Sequence, residues 1–129
     1  MAYEIPVLTL SLVAGGDLSS SQFKYVKLNS SGQVVDIAAA TDIPVGVLQN
    51  KPASGVLAEV MALGVSKIQG DADLAKGAQI GTSADGQADA KIAGTDTTEY
   101  VVGQVIDDNT AAGGLITATV NCLAPHRAS

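Results

Sequence analysis

The chain has 129 residues, a formal net charge of −6 and one cysteine, a length that suits one domain of about 100–150 residues. Its seven Lys and Arg are scattered singly, which excludes the basic patch that direct nucleic-acid binding needs to release phosphate counterions. Cys122 alone excludes an internal disulfide, and no apolar run reaches the ~20 residues of a membrane-spanning helix.

Hydrophobic residues make up 47% of the chain, yet aromatics are 3% and Trp is absent. The apolar content is Val, Ile, Leu and Ala, which build thin sheets and bury less area per residue than aromatics do. A mean hydropathy of +0.28 leaves apolar surface over for contacts between subunits.

In residues 1–21, an apolar start (Ile5, Val7, Leu8, Leu10, Leu12) gives way to a Gly/Ser-rich tail. The start has no basic flank and is interrupted by Glu4 and Pro6, so it does not read as a signal peptide and cytoplasmic synthesis is expected. Leu8 to Leu12 alternates with a period of two, as a half-buried strand does. Two readings stand side by side: an extended arm that docks on a neighbour by strand addition, or an edge strand of the domain's own sheet. On the arm reading, deleting residues 1–15 should leave a folded domain.

Gln22 to Leu28 alternates as a strand, Asn29-Ser30-Ser31-Gly32 is a hairpin turn, and Gln33 to Ile37 returns. Ile43 to Leu48 is the next strand, with Gly46 inside it; residues 50–55 are turn formers, and Val56 to Leu63 resumes. Gly64 should allow a bulge or bend before a short strand, Val65 to Gln69. Asp71 to Gly77 could close one helical turn capped by Asp71 or Asp73. Ala78 to Thr82 and Gln87 to Ile92 flank Asp85-Gly86, a strong hairpin signal. Tyr100 to Ile106, the turn after Asp107, and Leu115 to Leu123 then echo the plan of residues 43–63, which suggests repeated β units. Residues 125–129 read as a frayed tail and 22–124 as a single β domain. About nine or ten short strands without sustained helical periodicity indicate an all-β barrel or sandwich.

The chemistry of sites is thin. His126, the lone histidine, falls in the tail, where a general base is hard to preorganise. Cys122 lies in an apolar strand, as a buried inert thiol does. Asp71/Asp73 and Asp107/Asp108/Asn109 offer oxygens to calcium but lack EF-hand spacing. Gly77 to Gly81 lacks the Lys and helix of a phosphate loop. The stretch Ala58 to Leu63 resembles the hairpin of biotinyl and lipoyl carriers, but without the acceptor Lys no prosthetic group can be attached. No enzyme activity, cofactor, metal or small-molecule substrate is expected, and a surface made for binding protein is.

Gln22-Phe23-Lys24-Tyr25-Val26-Lys27-Leu28-Asn29-Ser30-Ser31-Gly32-Gln33-Val34 resembles the opening of small capsid decoration (cement) proteins of tailed bacteriophages. Ile43 to Leu48, the Ala-Lys-Gly-Ala-Gln-Ile run up to Asp85-Gly86, and Val102-Gly103-Gln104-Val105 are similar to that family too, so the resemblance spans roughly residues 20–123. It implies a small barrel or β-tulip-like domain, homotrimers on the outer surface of a virion, and the major capsid protein as partner. On that reading Tyr3, Ile5, Val7, Leu8, Leu10 and Leu12 form the capsid-contact arm. Val56, Val60, Leu63, Leu115, Ile116 and Val120 supply core and trimer contact. The competing reading is a receptor- or glycan-binding β module of a phage particle, set against a shortage of exposed aromatic platforms.

Overall fold

Apolar runs punctuated by Gly, Asn, Asp and Ser fold here as antiparallel strands. The computed structural model describes residues 3–108 and 113–129, with eleven strands and no helix among them. In chain order they are β1 (Ile5–Val13), β2 (Tyr25–Leu28), β3 (Val34–Asp36), β4 (Gly46–Leu48), β5 (Leu57–Gln69), β6 (Gln79–Thr82), β7 (Ala88–Ala90), β8 (Tyr100–Val101), β9 (Gly103–Asp107), β10 (Leu115–Asn121) and β11 (His126–Arg127). Asn109, one of the expected oxygen donors, and the centre of the turn after Asp107 lie outside the described residues. The sheet runs β3-β2-β4-β5-β10-β9-β6-β7, with β1 on the other side of β5, and β8 and β11 form a separate ribbon. It curls into a half-barrel, in keeping with the all-β expectation.

The echo in the sequence is an echo in pairing. β4 pairs antiparallel with β5, β9 with β10, and the two units meet where β10 pairs antiparallel with β5. Gly46 and Gly103 occupy matching places. A Cβ on Gly46 would stand 2.4 Å from the Met61 carbonyl oxygen in β5, and one on Gly103 would stand 2.1 Å from that of Thr119 in β10. Each glycine lets its short strand lie against the long one, which no residue with a side chain permits.

Alternation along the central strands feeds two cores. Tyr25, Val47 and Met61 point into the larger cluster with Ile68, Ile80, Val105, Ile116 and Val120. Their neighbours Val26, Leu48 and Val60 point the other way, to Ala14, Leu18, Val34 and Ala58. Strands β2, β4 and β5 are therefore buried on both faces, which is why residues 56–63 read as apolar without a polar side.

Several expectations change. Asp71 to Gly77 forms a bend and then a tight turn closed by Ala78 N–H to Ala75 O (3.1 Å) rather than a helical turn, because its end amides bond elsewhere: Asp71 N–H to Ala88 O (2.9 Å) and Gly77 N–H to Val105 O (2.8 Å). β5 stays one strand through Gly64, where β10 pairs along it with Val120 opposite Gly64, but the expected irregularity is there in the β1–β5 ladder: Pro6 pairs with Gly64, Leu8 with Leu63 and Thr9 with Met61, passing over Val7 in β1 and Ala62 in β5. The C-terminus is tied down rather than frayed: Ala128 N–H donates to Glu99 O (3.1 Å), and Ala128 is buried. Of the two readings of residues 5–13, the edge strand is the one that forms. β1 pairs with β5 from Ile5 opposite Val65 to Val13 opposite Leu57.

Candidate functional site

β1 is the place where apolar residues meet solvent. Leu10 and Leu12, opposite Val60 and Ala58, are half-buried, and Leu12 packs on the smaller core. Ile5 and Val7 remain 55% and 68% exposed, and Tyr3, Leu8 and Val13 are exposed as well. Among the described residues β1 pairs with β5 alone, so its outer edge is unpaired. Such edges are normally blunted by charge, proline or bulges. Here Pro6 and the register shift guard only the first half, and no residue from Ile5 to Val13 is ionisable. The flanking charges are occupied: Ser11 Oγ donates to both Glu59 carboxylate oxygens (2.9 and 3.0 Å), and Glu4 pairs with Lys67 at 3.4 Å. A neutral apolar strand edge of this kind can recognise an extended partner through backbone hydrogen bonds and side-chain burial.

The residues expected to supply core and subunit contact divide. Val60, Ile116 and Val120 are buried. Leu63 is half-exposed beside Leu8, while Val56 and Leu115 face solvent at opposite ends of the β5–β10 region. Pairing brings the β1 residues together with Val60 and Leu63; Ile116 lies farther along, opposite Ile68.

A polar cluster sits elsewhere. The Lys91 side chain is 0% exposed, and its Nζ lies 3.0 Å from Asp89 Oδ2 and 2.5 Å from Glu99 Oε1. Burial alone would push this ammonium's pKa down; hydrogen bonds to Glu99 and Asp89 more than offset that and raise it. Asp71 is raised to about 6, first by desolvation and then by the negative charge and hydrogen bond of Asp89. This cluster ties β7 and the residue that follows it to the segment before β8. Among the described residues no group of three or more His, Cys, Asp or Glu is placed to hold a metal. Burial pushes the Cys122 thiol up to about 12, so it is un-ionised at neutral pH. His126 stands in β11 opposite Val101.

One feature escaped the sequence reading. Alternation placed Phe23 on a strand with Tyr25, but residues 22–24 precede β2 in a turn, and Phe23 has φ 63°. Its ring lines a shallow depression of about 400 Å³ with Ser19, Ser20, Gln22, Lys51, Gln69, Gly113 and Leu115. Nothing in the spacing of QFKY signals a left-handed residue.

No family model and no curated protein matches the chain. Among solved structures, the fold is similar to the N base of the head fiber gp8.5 of bacteriophage phi29. The identity is 19%, the match covers 89% of this chain and 94% of that one, and the TM-score is 0.62. At that identity the likeness is one of fold.

Proposed function

We propose that this chain is a structural protein of a bacteriophage particle, that it binds the outside of the capsid as a homotrimer, and that it clamps adjacent major capsid subunits. The observation that carries the reading is the shared fold with the N base of a phage head fiber over nearly the whole of both chains. The exposed neutral edge of β1 supplies the means: a capsid segment that pairs along the open half, Thr9 to Val13, and continues past it would cover Ile5, Val7 and Leu8. A protein that binds only the expanded lattice stabilises it by mass action, by about 2.7 kcal/mol when free protein stands at 100 times its dissociation constant.

Truncation is the wrong test. Ala14 is buried and β1 covers one whole side of the N-terminal part of β5, so removing residues 1–15 strips the fold along with the contact. Val7→Lys changes an exposed side chain and leaves β1 paired. Co-sedimentation with expanded shells of the phage that carries this gene should show wild type bound and Val7→Lys weakened at least tenfold, with unchanged circular dichroism. Equal binding by the variant removes β1 from the contact; no binding by wild type removes the function. Analytical ultracentrifugation of the free chain reads the trimer.

A further inference from the structure

Phe23 sits where glycine or asparagine would fit better. Its backbone is held in the left-handed region from both sides: Phe23 N–H donates to Leu48 O (2.7 Å), and Phe23 O accepts from Gln69 N–H (2.8 Å). That conformation strains any residue with a Cβ and costs glycine nothing. The ring belongs to neither core cluster. A half-buried ring held outside both cores on a strained backbone points to a role beyond folding.

The surroundings say what the ring faces. Gln22 Nε2 donates to Gln49 O and Gln69 Nε2 to Gln22 O, both at 3.0 Å, which fixes the two amide planes. Among the described residues neither Oε1 has a partner, so two oriented acceptors remain beside the hydroxyls of Ser19 and Ser20. Lys51 makes no ion pair among the described residues, whereas Lys67, 5.6 Å over the ring centroid, is paired with Glu4 at 3.4 Å. Among the described residues no carboxylate lines the depression, although the chain carries a net charge of −6. An aromatic face takes the C–H face of a pyranose, fixed carboxamides and hydroxyls match its hydroxyl groups, and the Lys51 ammonium matches an acid.

We propose that this depression is a binding site for an acidic saccharide, with Phe23 as the stacking platform and Lys51 as the counter-charge. The proposal stands on Phe23 and its neighbours, independently of β1 and of capsid binding. The test uses the full chain on an array of uronate-, sialate- and phosphate-bearing glycans with neutral counterparts, followed by a ¹H–¹⁵N titration with the strongest acidic glycan. Wild type should retain acidic glycans, with shifts centred on residues 19–23, 51 and 69. Phe23→Gly should weaken binding at least tenfold while its urea midpoint stays equal or rises, since the strain is relieved. Lys51→Gln should weaken binding several-fold and flatten its salt dependence. Retention of no acidic glycan, equal retention of neutral ones, undiminished binding by Phe23→Gly, or a fall in that variant's urea midpoint would each overturn the assignment; the last would show that the ring is kept for packing.

Discussion

Replacing Lys91 by methionine tests how the polar cluster holds the β6–β7 side of the molecule. The substitution keeps the volume and removes the one ammonium that faces Asp89 at 3.0 Å and Glu99 at 2.5 Å. Asp71, hydrogen-bonded to Asp89, is left as a third carboxyl group without the Lys91 charge. Breaking a buried pair by removing one partner costs about 3–5 kcal/mol. The Asp89 and Glu99 side chains are 35% and 20% exposed, so water offsets part of this and the lower end, about 3 kcal/mol, applies. Against a typical total of about 5–15 kcal/mol that is a large loss. It should lower Tm by roughly 9–15 °C. The pH dependence carries the sharper test. Asp71 is raised from 3.8 to about 6, so the folded state holds an extra proton that the unfolded state has lost. Its stabilising contribution is full below about pH 4 and is lost as pH rises through about 6. Lys91 pulls that pKa down, so without it the proton is held more tightly. The deficit of Lys91→Met should be larger at pH 7.5 than at pH 5. Urea unfolding followed by far-ultraviolet circular dichroism, at one protein concentration and both pH values, reads this directly. A deficit under about 1 kcal/mol, or one equal at the two pH values, refutes the reasoning.

Two further outcomes follow from the packing. Gly103→Ala places a Cβ 2.1 Å from the Thr119 carbonyl oxygen and should destabilise by more than about 2 kcal/mol, as overpacking against rigid backbone does; Gly46→Ala should behave alike, and a stable Gly103→Ala with native strand content would show that the two units are not held by close approach. Tyr25 is buried and its hydroxyl has no hydrogen-bond partner among the described residues, so Tyr25→Phe should be neutral or stabilising by up to about 1 kcal/mol in the same urea assay; a loss of more than about 1 kcal/mol would mean that the hydroxyl contributes to stability.

The hairpin turns were legible because their chemistry is local. Asn29 Oδ1 accepts from Ser31 N–H and Gln33 N–H, and Gly32 and Gly86 take the positive φ that the turns require. The duplication was legible for the same reason, since a glycine before a long strand is a visible mark. What stayed hidden depends on partners distant in sequence. Whether residues 5–13 extend freely or lie on β5 is decided by Val60 and Ala58, about fifty residues on. The continuity of β5 through Gly64 depends on β10. The buried charge of Lys91 needs Glu99 and the chain segment around Asp71, and no local pattern marks a lysine as buried. Phe23 looked like one residue of an alternating strand because alternation carries no information about φ.

The two-core arrangement explains why this chain is apolar beyond what its size requires and still leaves an apolar edge. β2, β4 and β5 take hydrophobic residues on both faces, and the second face is closed only by Ala14, Leu18, Val34 and their neighbours. β1 completes that side by placing Leu10 and Leu12 against it, and the strand's alternation then turns Ile5 and Val7 outward. If those outward residues existed only to make β1 a strand, threonine would serve at Val7 as well as valine, and the edge would be better protected by lysine. Valine at the most exposed point of an uncharged edge raises the risk of self-association, a cost that makes sense where a partner strand covers it. Val7→Lys therefore separates two accounts of the same strand. Unchanged folding with lost shell binding assigns the outward face to a partner, whereas lost folding would return it to the domain's own stability.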